Sequence, residues 1–213
     1  MNLSPAAALS QPLRVLLVGV SVIALSHLLD PLGWRYLNVD GVYSDDLGRM
    51  LRVMGYVPVW LALAAAFILH DRPLGRACWR RGGTLVAGIL AAGVTGEVLK
   101  VLLRRERPWA HEGEYVFRSF SERPFSSSGL AWPSSHAIIA FGAAAILSRL
   151  FPRARIVFWG LAWGCALSRV ADGAHFVSDV VTSAVVAWVI GDRVWHLTSH
   201  RASLRGTDVA PSA

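Results

Sequence analysis

Six apolar segments, separated by polar or charged stretches, constrain the fold of this chain more than any other feature. They cover residues 13–29, 53–69, 84–103, 133–150, 156–170 and 176–194. A helix needs about 20 residues to cross a bilayer, within a range of about 17–25. The fourth segment reaches this range only with its polar start, and the fifth is short, but an alternating charge pattern requires both crossings. The segments predict an all-α bundle of six transmembrane helices, in a single domain over residues 1–213.

The composition supports a bilayer as the solvent of this chain. Hydrophobic residues make up 54% of the sequence and charged residues only 16%, whereas a soluble domain carries about 25% charged residues. The net charge is +7, but the arginines are scattered between the apolar runs. A nucleic-acid-binding protein would cluster its basic residues on one soluble face, so nucleic acid is not an expected partner.

The distribution of charge predicts the orientation in the membrane. Eleven Arg but three acidic residues occur on one side, in residues 1–14, 70–83, 149–155 and from 192 onward. By the positive-inside rule these parts are cytoplasmic, and the other loops face outward, toward the periplasm of a bacterium. The first apolar run is long, and we expect a retained membrane helix rather than a cleaved signal peptide. The polar tail, about 200–213, is expected to be disordered.

Six ionisable residues in or beside these segments fall on the outward side. Ionisable residues at such positions are costly and are usually functional. The six are Lys100, Arg107, His136, Arg169, His175 and Asp179. Lys100 and Arg107 are seven residues apart, which would place both cations on one helix face before Pro108. His175 and Asp179 are four residues apart and are expected to share a face of the sixth helix.

Phosphate is the ligand that such a set of side chains suits. Arg presents a planar fork to phosphate oxygens, and Lys adds a point charge. Backbone N–H groups near Ser134 and Ser135 would add donors at a helix N-terminus. With three fixed cations no metal or other cofactor is required. Next to Asp179, His175 would be the nucleophile, and His136 would protonate the leaving group and then activate water.

Three motifs in this order resemble those of the type 2 phosphatidic acid phosphatase superfamily. They are Lys100-x6-Arg107-Pro108, Pro133-Ser134-Ser135-His136 and Ser168-Arg169-x5-His175-x3-Asp179. The resemblance covers residues 100–179 and the six-helix layout, and it implies a metal-independent phosphatase with the same residue roles. Ser135 departs from the commonest form of the second motif, which has Gly.

The expected substrate is a lipid phosphate, because a site at helix ends is reached most easily along the bilayer. The resemblance implies undecaprenyl diphosphate, phosphatidylglycerol phosphate, phosphatidic acid or lipid A, and we favour undecaprenyl diphosphate or a related lipid. A phosphotransferase that passes the phosphoryl group to a second lipid is one alternative. A carrier that binds but does not hydrolyse is another, although a carrier needs access from both faces. The related vanadate haloperoxidases are soluble, unlike this chain.

Each of these residues also has a purely structural interpretation. Lys100 and Arg107 could reach lipid headgroups, Arg169 could cap its own helix, and Glu97 is expected to pair with Lys100. Arg104 and Arg105 flank the site, where they would either gather an anionic substrate or be solvated.

Overall fold

The computed structural model describes residues 11–206, which form an all-α fold. The eight α-helices in this range are α1 (Gln11–Ser26), α2 (Asp30–Leu37), α3 (Asp46–Val53), α4 (Val57–His70), α5 (Trp79–Leu103), α6 (Ser135–Leu150), α7 (Arg155–Ala171) and α8 (Val177–Gly206). Helix α8 extends to Gly206, and the expected disorder of the tail from about residue 200 stays a prediction. Residues 1–10 and 207–213 lie outside the described residues.

Two helical stretches are long and apolar enough to cross a bilayer, and a third is bent. The first runs over Leu13–Leu37, because a 3-10 turn carries α1 directly into α2, and the second is α5; each has 25 residues. Helices α3 and α4 are together long and apolar enough to cross a bilayer, but they meet at an angle of 68°. The chain is therefore a membrane protein with two or three candidate spans by length and composition.

Helix α1 exposes an apolar surface that water would solvate poorly. Its side chains at Leu16, Val18, Val20 and Leu25 are each more than half exposed. Contiguous apolar surface of this kind is the signature of a membrane or protein contact, and lipid is the medium that fits a helix apolar on so many sides.

Helix α6 is the centre of the bundle and packs against α5, α7 and α8. Every residue from Ala137 to Leu147 is buried. Small residues allow helices to approach closely. A side chain on Gly88 of α5 would meet Ile146, and one on Gly142 of α6 would meet Ala92. This close packing holds the N-terminal end of α6 beside its neighbours.

Three local boundaries differ from the sequence expectation. The predicted second span contains the sharp bend between α3 and α4. The fourth predicted segment begins at Pro133, but Pro133 precedes the N-cap, Ser134, of α6. Helix α5 ends at Leu103, since Arg104 adopts a left-handed backbone conformation with φ of 57°. The chain therefore turns away four residues before Arg107.

Candidate active site

Arg107 reaches the site from a loop and not from a helix. The predicted shared helix face with Lys100 is wrong, because α5 has already ended. Instead, backbone bridges pair Arg105 with Phe117 and Glu106 with Leu130. The backbone N–H of Arg107 then donates to Gly129 at 3.2 Å. These contacts fold the 104–134 loop back over the ends of the helices and carry Arg107 to the bundle.

Lys100 lies in the last turn of α5, where it is only 4% exposed. Its Nζ donates to Ser135 Oγ and lies 3.6 Å from Glu97 Oε1. Ser135 Oγ donates in turn to Glu97 at 2.6 Å. The expected pair of Glu97 and Lys100 is therefore present, and both of its members also hold the Ser135 hydroxyl.

The start of α6 places His136 at the second helical position. Ser134 is fully buried and caps the helix with its hydroxyl, which accepts from Ala137 at 3.5 Å. The Ser134 N–H donates to Ser183 Oγ at 3.0 Å, so it is not the phosphate donor that the sequence suggested. The N–H groups of Ser135 and His136 belong to the first turn of α6, where they have no acceptor within the helix and could donate to an anion.

His175 precedes α8 by two residues, and Asp179 lies in its first turn. The two residues are buried, and His175 Nδ1 lies 3.5 Å from Asp179 Oδ2. The same oxygen accepts the backbone N–H of Phe176 at 2.7 Å, which fixes the carboxylate. Burial lowers the pKa of His175 in spite of the Asp179 carboxylate, so the imidazole is neutral near pH 7.

Arg104 and Arg105 are neither solvated nor placed to gather substrate, and that expectation is wrong. Both are at most 1% exposed. Arg104 donates to backbone carbonyls of the outer loop, including Arg118 and Ser119. Arg105 donates to Asp179 Oδ1 and, at 2.8 Å, to Ser178 Oγ.

An aromatic cage surrounds the Arg105 guanidinium. Its central carbon lies within 5 Å of the ring centroids of Tyr115, Trp132 and Phe176. Asp30 of α2 completes the cluster, with an oxygen 3.8 Å from Arg105. Asp30 was missed because its partners are distant in the sequence and no local pattern marks it.

Arg169 lies in the last turn of α7 and is 3% exposed. Its Nη1 donates to Tyr43 Oη at 2.6 Å and to Asp172 at 3.1 Å. Tyr43 Oη donates to the Ser168 carbonyl at 3.0 Å. A tyrosine from the loop between α2 and α3 therefore orients this cation, a contact that no local sequence pattern predicts.

Buried polar atoms without partners mark where these side chains converge. Within residues 11–206, most of the buried side-chain nitrogens that lack a hydrogen bond belong to this region: Arg52 Nε, Arg107 Nε, Arg169 Nε, His136 Nε2 and His175 Nδ1. Such groups are rare in native proteins and call for an explanation. Burial and the nearby charge of Arg169 lower the pKa of Arg107, as expected for cations held close together.

Hydrogen bonds bring the three motifs together. Lys100 donates to Ser135, the neighbour of His136. The Ser134 N–H lies 3.4 Å from the Asp179 carbonyl, and the Trp109 N–H donates to the Gly173 carbonyl at 3.2 Å. All the motif residues therefore lie around one region, where the same ends of α5, α6, α7 and α8 meet. An oxyanion is the kind of ligand that several cations, helix N–H groups and two imidazoles can hold together.

The fold and this cluster define an α-helical membrane protein with a cationic, histidine-containing site at its helix ends. A family profile described as the PAP2 superfamily matches residues 81–202. The chain belongs to the PAP2 superfamily.

Several bacterial lipid phosphatases are similar to this chain. Lipid A 1-phosphatase of Rhizobium johnstonii is 34% identical over 110 residues, which are 50% of this chain and 44% of that protein. Decaprenylphosphoryl-5-phosphoribose phosphatase of Mycolicibacterium smegmatis is 34% identical over 125 residues, 58% of this chain and 61% of that protein. Lipid A 4'-phosphatase of Porphyromonas gingivalis is 21% identical over 166 residues, 75% of this chain and 70% of that protein.

The chain spans about half the length of the first of these curated relatives. No solved structure shows significant similarity to it.

Proposed function

We propose that this protein is a metal-independent membrane phosphatase that hydrolyses lipid-linked phosphate monoesters or diphosphates through a phosphohistidine on His175. The observation that carries the proposal is the set of buried, unpartnered nitrogens on Arg107, Arg169 and His136, in the same region as the His175 imidazole. A phosphoryl group is the ligand that would satisfy cationic donors and stand between two imidazoles at once. Phosphoryl transfer depends mostly on positioning and charge stabilisation, which this cluster can supply.

The contact of Asp179 with His175 fits the role of nucleophile. A carboxylate beside Nδ1 keeps the ring proton on that nitrogen, which leaves the Nε2 lone pair free to attack phosphorus. As the N–P bond forms, the bond from phosphorus to the leaving oxygen breaks. The cations Lys100, Arg107 and Arg169 would stabilise the negative charge on the remaining phosphoryl oxygens.

His136 would complete both steps as acid and then as base. It would first donate a proton to the leaving oxygen of the substrate. It would then take a proton from a water molecule whose oxygen attacks the phosphohistidine. The N–P bond breaks, inorganic phosphate leaves, and both histidines return to their starting states.

The membrane arrangement is proposed with the termini in the cytoplasm and the site facing outward, at the periplasmic side of a bacterial inner membrane. The six crossings would be α1 with α2, α3 with α4, then α5, α6, α7 and α8. Helices α6 and α7 have 16 and 17 residues, close to the short limit for a span. Alternate cysteine labelling of the 104–134 and 70–83 loops in intact cells would test this orientation.

The substrate is proposed to be a lipid phosphate that reaches the site from the bilayer. The names of the similar proteins favour lipid A and decaprenylphosphoryl-5-phosphoribose as candidates, beside undecaprenyl diphosphate, phosphatidylglycerol phosphate and phosphatidic acid. Phosphate release from these purified lipids, by the detergent-solubilised protein, would rank them.

Substitution of the proposed nucleophile tests the mechanism directly. We expect His175→Ala to abolish phosphate release, whereas His196→Ala should retain it, because His196 is 65% exposed on α8. The wild-type protein, quenched in alkali during turnover of a 32P-labelled substrate, should carry acid-labile label. Turnover by purified, folded His175→Ala would refute the assignment.

A further inference from the structure

Arg52 is a cation that none of the three motifs contains, yet it reaches the candidate site. It lies in the last turn of α3, immediately before the bend that leads into α4. Its Nε is buried and has no hydrogen-bond partner within residues 11–206. A buried guanidinium nitrogen without an acceptor is unfavourable in a protein that binds nothing there.

Tyr43 holds Arg52 next to Arg169. The Arg52 guanidinium lies 4.8 Å from the centre of the Tyr43 ring, and that of Arg169 lies 5.6 Å from the same centre. Tyr43 Oη also accepts from Arg169. One aromatic ring thus keeps two like charges close together. Arg169 has the Asp172 carboxylate beside it, whereas Arg52 has no carboxylate partner among the described residues, so an anion bound beside Arg52 would reduce the repulsion.

The position of Arg52 is fixed by its helix. Asp45 caps α3 by accepting the Gly48 N–H at 2.7 Å. Leu51 packs against Gly164 of α7, where a side chain would collide with it. One turn before Arg52, Arg49 ties α3 to the Tyr43 carbonyl at 2.9 Å. Arg52 is therefore presented by a rigid element and not by a free loop.

Arg52 lies on the His136 side of the cluster. Gly55, three residues further on, is in direct contact with His136, and the Tyr56 ring centre is 5.2 Å from that of His136. In the proposed function His136 protonates the leaving group, so a cation beside it lies where the leaving group must be.

We propose that Arg52 binds the phosphate that stays on the lipid when a diphosphate is hydrolysed. In that reaction the bond between the terminal phosphorus and the bridging oxygen breaks, and the leaving group is a lipid monophosphate. The positive charge of Arg52 would stabilise this anionic leaving group. A lipid monophosphate has no second phosphate for Arg52 to bind. The inference rests on the proposed phosphatase function and deepens it to a preference for diphosphates.

The test compares farnesyl diphosphate with farnesyl monophosphate, which share one hydrocarbon chain, using the purified full-length protein. Arg52→Gln should lower kcat/KM for the diphosphate about tenfold to hundredfold, as expected for one charge-assisted contact. The kcat/KM of the same variant for the monophosphate should change less than about threefold. Arg155→Gln is the matched control, because it removes an exposed cation at the end of α7 opposite to Arg169, and it should leave kcat/KM for both substrates unchanged.

Arg52→Lys keeps the positive charge but loses the planar guanidinium, and it should lose part of the preference for the diphosphate. If Arg52→Gln does not fold, Arg52→Lys tests the role of Arg52 instead. An equal loss with both substrates, or no loss with either, would overturn the role of Arg52 while leaving the phosphatase intact. If the wild-type protein hydrolyses neither these two compounds nor any other lipid phosphate, the proposed function fails, and this inference fails with it.

Discussion

Arg105 and Asp179 are 74 positions apart in the sequence, yet they form an ion pair in which neither side chain is exposed. One oxygen of the Asp179 carboxylate meets Arg105, and the other faces His175 Nδ1. The pair therefore sets the position of the group that orients the proposed nucleophile. Outer partners of this kind commonly matter as much as the residues they support.

Removal of Arg105 should cost stability because two buried carboxylates would lose their cation. Arg105→Met leaves both Asp179 and Asp30 without it, and breaking a buried pair from one side typically costs about 3–5 kcal/mol. Thermal unfolding in detergent should show a clear drop in Tm. The exposed pair of Arg49 and Asp46 is the control, since Arg49→Met should cost less than about 1 kcal/mol. Equal losses in the two variants would contradict the assignment.

Gly55 permits the contact between the α3–α4 bend and His136. A Cβ at this position would lie 2.5 Å from His136 Cβ, far inside van der Waals contact. We expect Gly55→Ala to displace His136 and reduce phosphate release at least about tenfold, because misplacement of a catalytic group by 1 Å can cost about a hundredfold.

A glycine in open space provides the control for that substitution. Nothing lies within 4 Å of the Cβ that Gly160→Ala would add to α7. This variant should keep full activity and gain up to about 1 kcal/mol of stability, since Ala favours a helix over Gly. Full activity in Gly55→Ala would show that His136 tolerates the shift or has no part in turnover.

His136 should matter most when the leaving group needs a proton. General acid catalysis contributes about 10²–10⁴-fold, and we expect His136→Ala to slow phosphate release from a lipid monoester by that range. With p-nitrophenyl phosphate, whose leaving group is stable as an anion, the first step should be affected much less. Rapid-quench measurement of p-nitrophenol and phosphate separately would check this. A similar loss of rate in both steps and with both substrates would argue that His136 binds the phosphoryl group but transfers no proton.

The sequence predicted the positions of local features better than it predicted their partners. His136 at the start of α6 and Arg169 at the end of α7 follow from apolar periodicity and motif spacing, which are local properties. The path to Arg107 was wrong because Leu103 ends the helix, and a left-handed Arg104 has no signal in composition. In general such ends are the least predictable part of a helix.

The residues that sequence reasoning missed are those defined by long-range contacts. Asp30 accepts the backbone N–H of Ser178, 148 positions away, at 2.7 Å. Tyr43 and Arg169 are 126 positions apart. No local sequence pattern marks Asp30 or Tyr43 as a partner of these distant residues, so only the packed bundle identifies them.

The outer loop contains a carboxylate whose contribution to stability should depend on pH. Hydrogen bonds from His111 and Arg118 hold the pKa of Glu106 below its ordinary value of 4.5. A carboxyl with a lowered pKa in the folded state stabilises the protein above its unfolded pKa, and this stabilisation is lost as pH falls through the folded pKa. Glu106→Gln should therefore be less stable than the wild type by about 1 kcal/mol at pH 7. The difference should shrink steadily below about pH 4.5 and vanish once the wild-type carboxyl is protonated.

Thermal unfolding of the two proteins in the same detergent between pH 3 and pH 8 measures that difference. Glu114 lies exposed in the same loop and forms no side-chain ion pair with the described residues, so Glu114→Gln should follow the wild type throughout. The loop joins Arg107 to the ends of the helices, and a destabilised loop should also weaken substrate binding. A gap between wild type and Glu106→Gln that stays constant down to pH 3 would mean that Glu106 contributes through packing and not through its charge.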